Sequence, residues 1–434
     1  MNTFMNIETK YLRTQKSKHL KELHNRGFDK RTNLNVTVYK NATILPLNNM
    51  HDNNILWGRG GLSDSNGNYV KETSIPGVIN NSYEYENVIN ENCKVVFLGY
   101  LRKHWGEFFV YSIPKLWYFI SEDSAEIDKY VFYTDINSYK TVSGNYREFL
   151  ELLGIWDKIE IINIPTRYTE VVLPDDSYNS NMRYYSSLYV DIFETIAANT
   201  RNKENWKKRE KIYLTRSALK KAVVNEVGMD LLDDFFIRNG FYIVSPEKIS
   251  LSELIYLINN SDIVAAQSGT LPHNMLFSTV NNNLLIIERN AVNNRVQIDI
   301  NIMKNLSVTY IDANFSLYPV ELAYGPFLYG YTKCLEQFAK DNNYYLPAKE
   351  FFATKYKKKI FNKYLKRYKI EHYTKWYLQP WMYNEIDSIY EAYSESADYF
   401  GEFMNAKKFH SFYQLFDSVF MKHYLSNLKN RLRK

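Results

Sequence analysis

From Lys211 to Asp312 the chain alternates short apolar runs with amphipathic stretches, and this alternation constrains the fold more than any other feature. The pattern predicts a strand over 211–215, a helix over 226–239, a strand over 241–244, a helix over 250–259, a strand over 262–266, a helix over 271–279, and strands over 283–288 and 307–312. Brief apolar runs bounded by turn residues read as strands buried on both faces. Strands separated by helices imply parallel pairing, because a parallel connection must cross over the sheet. A similar alternation occurs earlier: strand 94–100, helix 104–121, strand 129–135, helix 143–154, strand 158–165 and helix 184–200. Residues 35–47 alternate like strands, and SDSNGNYV (63–70) reads as a Gly-Asn hairpin turn.

At 434 residues the chain exceeds one ordinary core. The expected fold class is therefore α/β, with two Rossmann-like units and a crevice between them. The expected boundaries are a basic N-terminal segment 1–34, a first unit 35–200, a charged linker 201–210 (RNKENWKKRE), a second unit 211–315, and a mostly helical, Tyr- and Lys-rich extension 316–434 with no clear strand. A hydrophobic fraction of 45% excludes a disordered chain. The two cysteines, Cys93 and Cys334, exclude a disulfide framework and fit a reducing compartment. The first residues hold no apolar run that would make a signal peptide, and no stretch of about 18 apolar residues predicts a spanning helix. A cytoplasmic protein is expected, in which the glycosylation-type triplets at Asn35, Asn41 and Asn80 are chance matches. The net charge of +6 points to an anionic partner without bearing on the fold.

Three strand ends carry candidate chemistry. KIYLTRS places Arg216 at the carboxyl end of strand 211–215, where ligands of parallel sheets lie and where a guanidinium can grip phosphate bidentately. AAQSGTLPHN runs from strand 262–266 into Ser268, Gly269 and Thr270, with His273 and Asn274 following. Gly269 allows close backbone approach, Thr270 is a candidate N-cap, and Pro272 suits a first helical turn. Backbone N–H groups there would face a diphosphate. LLIIERN ends in Glu288, a candidate acceptor for ribose hydroxyls. Each feature also has a structural reading: a surface arginine in a turn, an ordinary capped helix, a solvated carboxylate. In segment 104–117, His104, Glu107, Tyr111 and Lys115 recur at helical spacing as one polar stripe, and His or Glu there could serve as a general base. The structural alternative is a helix face meeting water. The GxGxxG and GxxxxGK[ST] fingerprints are absent, as are DxD at a strand end, HExxH, CxxC and GxSxG, which argues against NAD enzymes, P-loop ATPases, zinc sites and hydrolases.

At these residues the chain resembles the family 61 glycosyltransferases, in particular their bacterial surface-polysaccharide branch. The resemblance rests on Gly106–Trp117, on Lys211–Arg216, on the pair Asn225-Glu226, on Gly240–Glu247, on Asn274–Phe277 and on Glu288, and it covers roughly residues 35–290. It implies a GT-B fold with the donor held mainly by the second unit, an inverting mechanism and no required metal. By that resemblance the donor is a nucleotide-sugar, expected to be UDP-linked, and Arg216, Ser268, Gly269, Thr270, His273, Asn274 and Glu288 bind it. The acceptor is a glycan or lipid-linked glycan of capsule or lipopolysaccharide synthesis. Two positions depart from the family pattern: its helix histidine is Glu107 here, and its carboxylate is Tyr111. Glu107 is the expected base, with His104 as rival or helper. A sugar-phosphate transferase and a non-catalytic scaffold of polysaccharide assembly are the alternatives, and no nucleic-acid partner is expected. Residues 355–369, KYKKKIFNKYLKRYK, carry eight lysines and arginines beside an apolar stripe, and NLKNRLRK closes the chain. Together they suggest peripheral contact with an anionic inner-membrane face.

Overall fold

The computed structural model describes residues 6–48, 59–74, 82–121, 126–200, 206–315, 325–347, 351, 353–372 and 385–404. They form a mixed α/β structure with two six-stranded sheets. In the first sheet the strands run in the order Arg59–Ser63, Val36–Asn48, Thr166–Pro174, Ile89–Tyr100, Lys129–Tyr133 and Ile159–Ile162. The last four are mutually parallel where they pair, and Val36–Asn48 is antiparallel to both of its neighbours. The hairpin turn at 63–70 forms, with both Asn66 and Asn68 N–H donating to Asp64 Oδ1. Strand Thr166–Pro174 was not anticipated, although its run R-Y-T-E-V-V-L has β-rich composition.

The second sheet is wholly parallel, in the order Ile7–Tyr11, Ser307–Asp312, Asn283–Glu288, Ile263–Gln267, Lys211–Leu214 and Tyr242–Val244. Apart from Ile7–Tyr11, its strands are the apolar runs of the sequence. Serine caps explain two helix starts: Ser186 Oγ accepts from Leu188 N before Ser187–Ala198, and Ser250 Oγ accepts from Glu253 N before Leu251–Asn259. Lys211–Leu214 lies between Tyr242–Val244, which follows it in the chain, and Ile263–Gln267, which comes after that. The winding direction reverses at this strand. In open α/β sheets the carboxyl side of such a reversal is where a crevice forms.

Three expectations are corrected. The basic segment 1–34 is not separate: Ile7–Tyr11 pairs in parallel with Ser307–Asp312 and covers what would be an open sheet edge. The predicted helix 104–121 is broken into an α-turn Trp105–Glu107, a π-turn Phe108–Ser112 and a 3₁₀ turn Leu116–Ile120. Pro114 lacks the N–H a continuous helix would need. Beyond residue 316 there is a strand after all, Phe327–Leu328, paired with Glu226–Val227.

The two sheets share an apolar floor. Phe109, Phe149 and Phe193 of the first half stack on Phe277 of the second, at 5.8, 6.0 and 5.2 Å between ring centres. Edge-to-face aromatic contacts of this kind add to the stabilisation from area burial alone. In helix Thr354–His372, Ile360, Phe361 and Tyr364 are buried against a cluster that includes Phe351 and Phe400. Lys355, Lys358, Lys359, Lys363 and Lys366 are exposed. The apolar stripe is thus used in internal packing. The closing NLKNRLRK lies outside the described residues. Among them, no helix is long and apolar enough to cross a membrane.

Candidate functional site

The reversal strand ends in Thr215 and Arg216. Thr215 is fixed twice: its N–H donates to Val244 O at 2.9 Å and its hydroxyl to Asp233 Oδ1 at 2.8 Å. This anchoring aims the next residue across the switch point, where the Arg216 N–H donates to Gln267 Oε1 at 3.3 Å. The Arg216 guanidinium meets Glu226 Oε1 at 3.0 Å, and a second guanidinium, Arg289, stands 3.7 Å from the same oxygen. The Tyr329 hydroxyl donates to Glu226 Oε2 at 3.1 Å. Arg289 also stacks over the Phe327 ring at 4.4 Å. Burial lowers the Arg289 pKa, and Glu226 opposes that shift. The group stays cationic, since arginine is not deprotonated in proteins. Two buried or half-buried cations thus face one carboxylate.

Gly269 is required by its surroundings. Its φ is +125°, and a Cβ there would lie 3.0 Å from the Arg289 guanidinium carbon. Beyond it, Pro272–Phe277 is a six-residue 3₁₀ turn rather than the predicted α-helix. Thr270 makes no side-chain cap there; its carbonyl accepts from His273 N at 3.3 Å. Asn274 and His273 face inward and hold the loop. Trp105 Nε1 donates to Asn274 Oδ1 at 2.9 Å, tying the two halves, and His273 Nδ1 contacts Gln297 Oε1 at 2.7 Å. Burial pushes the His273 imidazole down to about 4, with smaller effects from Arg289 and His104. Gly106 is the other tie: a Cβ on it would be 2.4 Å from Thr270 Cγ2.

The polar stripe of segment 104–117 does not stay together. Ile113 N–H donates to Phe108 O, a π-turn bond that widens the turn after Glu107 and redirects the side chains from Tyr111 onward. Tyr111 and Lys115 line a separate small cavity, where Lys115 pairs with Asp176. Glu107 lines neither this cavity nor the crevice; its side chain is 40% exposed, with Arg102 NH1 3.6 Å from its Oε2. His104 lines the crevice itself. Although exposed at the mouth, its ring is desolvated enough by the surrounding walls to lower its pKa. Glu107 opposes this shift, while Arg216, Arg289 and Arg102 add to it.

The crevice has a volume of about 650 Å³, within the range of small-ligand sites. Lys103, His104, Trp105 and Ser143–Tyr146 form one wall; Arg216, Glu226, Glu247, Thr270 and Asn274 stand on the other. Of the residues singled out from sequence, His104, Arg216, Thr270 and Asn274 thus come together. Ser268 and His273 lie buried behind the wall, and the Ser268 N–H is taken up by Ile287 O. Glu288 is a correction. It is 1% exposed and held by Lys16 Nζ at 3.0 Å, because helix Thr14–Asn25 closes over that strand end. Side chains alternate along a strand, so Arg289 turns away from Lys16 and lies buried behind the crevice wall, where it meets the wall residue Glu226. Arg289 was missed; the same alternation could have flagged it. A search of protein-family models and of curated proteins finds no match to this chain.

Proposed function

We propose that the protein is an inverting glycosyltransferase of GT-B type, moving a sugar from a nucleoside diphosphate donor to a glycan acceptor. The observation that carries this reading is the convergence of Arg216 and Arg289 on a single carboxylate at the reversal point of a parallel sheet. The excess positive charge suits a diphosphate, and preorganised cations stabilise the charge that grows on a leaving group. The first half of the chain, across the crevice, takes the acceptor. His104 is the base in this reading, since a lowered pKa leaves its imidazole neutral and able to accept the acceptor's proton near pH 7. Glu107, at 3.6 Å from Arg102, acts beside it. No divalent metal takes part; the two guanidiniums supply the counter-charge. The exposed lysines of Thr354–His372 dock the enzyme electrostatically on an anionic membrane that carries a lipid-linked acceptor.

The test begins with calorimetric titration of the purified protein against UDP, GDP, CMP and dTDP and their sugars. Transfer is then assayed in excess EDTA with a glycan acceptor. Nucleotide binding with EDTA-resistant turnover supports the reading. Loss of turnover in EDTA with rescue by Mn²⁺ overturns the metal-free mechanism, and failure of every nucleotide to bind overturns the donor site. Replacing His104 by Gln is expected to cut turnover by about 10²–10⁴ while sparing donor binding.

A further inference from the structure

The donor reading leaves the small cavity of the first half unused, and the stripe residues Tyr111 and Lys115 lead into it. Its position follows the rule that placed the crevice. In the first sheet, Ile89–Tyr100 lies between Lys129–Tyr133, which follows it in the chain, and Thr166–Pro174, which comes later, so the winding reverses here too. Both neighbours run parallel to it. The cavity lies at the carboxyl ends of all three: Gly99 and Tyr100, Tyr133, and Asp176 just beyond Pro174 line it. Ligands of parallel sheets lie at such points. Gly99 has a φ of +95° at a register shift in the ladder, and a Cβ there would meet nothing closer than Phe97 Cε1 at 3.9 Å. Bulges of this kind re-aim strands beside functional sites. The cavity and the crevice share no lining residue.

We propose that this cavity is a second sugar-binding site, which takes one neutral pyranose ring apart from the crevice. The inference goes beyond the transfer reading and stands without it. Three observations carry it. The first is an unmet hydrogen bond. The Tyr133 side chain is fully buried and lines the cavity, and its hydroxyl has no partner among the described residues. A buried hydroxyl left unpaired costs free energy that a ligand hydroxyl would restore. The second is charge. Lys115 pairs with Asp176, and Glu72 stands on the same lining. Two carboxylates against one ammonium disfavour an anion, and a cation would have to sit beside Lys115. Both members of the pair keep hydrogen-bonding capacity beyond the bond they share, the ammonium as donor and the carboxylate as acceptor. That combination matches neighbouring hydroxyls, which both donate and accept. The third is shape. Tyr100, and Tyr111 exposed at the mouth, supply aromatic surface for the C–H face of a sugar. The cavity volume is about 80 Å³. At about 10–15 Å³ per water-sized group it admits about five to eight such groups, enough for one ring with its hydroxyls and too few for a nucleotide.

The experiment titrates the full chain with the methyl glycosides of glucose, galactose, mannose, N-acetylglucosamine and N-acetylgalactosamine, followed by ligand-observed NMR. At least one is expected to bind, and the methyl glycoside of glucuronic acid is expected to bind about tenfold weaker than the best of them. Excess UDP should leave the sugar in place. In Tyr133→Phe the sugar should weaken about five- to tenfold, the loss of one hydrogen bond, while thermal unfolding is not lowered, because the deleted hydroxyl has no protein partner to leave behind. Asp176→Asn should weaken it about tenfold. Failure of all five neutral glycosides to bind overturns the inference, as does equal or tighter binding of the glucuronide. Displacement of the sugar by UDP, or unchanged affinity in Tyr133→Phe, puts the sugar elsewhere and overturns it too. If UDP itself does not bind, the donor reading falls, and Tyr133→Phe still decides this inference. The same variant keeps the test intact if Asp176→Asn does not fold.

Discussion

Two ion clusters stand at the carboxyl ends of the same parallel sheet, and they do opposite things. At one end, Arg13 and Lys16 meet Glu288 and Asp312, with Lys16 Nζ at 3.0 Å from Glu288 and 3.3 Å from Asp312. Arg13 also pairs with Glu395, so every cation there has carboxylate partners, and helix Thr14–Asn25 lies over the cluster. Burial by itself would depress the Lys16 pKa, but Asp312 and Glu288 outweigh it and raise it. Burial likewise would raise Asp312, and Lys16 and Arg13 pull it below its usual range. At the other end, two guanidiniums meet one carboxylate, and the Arg216 side opens into the crevice. The strand-end position is the same in both. Charge balance and cover decide whether it becomes a lock or a binding site.

The largest effect that would break this comparison is on stability. Lys16→Met leaves Glu288 and Asp312 buried together without their shared cation, and the expected loss is about 3–5 kcal/mol in denaturant unfolding. A loss below about 1 kcal/mol, the range of exposed pairs, would mean the cluster is not a lock. Next comes acid sensitivity. His273 is held near 4 when folded and has its ordinary value, about 6.5, when unfolded. The unfolded chain binds the extra proton, so stability should fall as pH drops from about 6.5 to about 4, by up to about 1.4 kcal/mol per unit. Burial holds His24 near 4 as well and contributes to the same slope, so His273→Asn should reduce the slope without removing it; an unchanged slope sinks the assignment. Arg216→Ala should weaken nucleotide binding by about 1.5–3 kcal/mol, the range for a charged hydrogen bond, with little change in unfolding. If it destabilises as much as Lys16→Met does, the two clusters are alike and the contrast fails. Gly106→Ala presses a methyl group onto Thr270 and is expected to cost about 1–3 kcal/mol by overpacking, loosening the tie between the walls. The smallest effect concerns helix Thr354–His372: each exposed lysine near an anionic surface contributes about 1 kcal/mol. Liposome co-sedimentation should require anionic lipid, fall with salt, and drop when Lys355, Lys358, Lys359 and Lys363 become Gln. Equal recovery on neutral liposomes would leave this face a solvated one.

Strand positions were legible because a strand buried on both faces must be apolar along its whole length, and runs such as LLIIE at 284–288 have few other uses. Helix starts were placed by periodicity alone: the serine caps at Ser186 and Ser250 were not read, and the one cap that was read, Thr270, does not form. Arg216 was legible because it follows such a run directly. The breakdown of the 104–117 stripe was not, since periodicity assumes a uniform turn and a single π-turn after Glu107 undoes it. The fate of Glu288 was not legible either. Nothing local to LLIIERN says that residues some 270 positions earlier will close over it and supply Lys16.

The sequence by itself determined the class of fold, the order of the second sheet's central strands as separate units, and the places where chemistry could sit. Only the tertiary structure decided which strand ends stay open. Local patterns record what a segment needs to bury. Whether a strand end meets solvent or another part of the chain depends on contacts between residues far apart in sequence, and those exist only once the whole chain has packed.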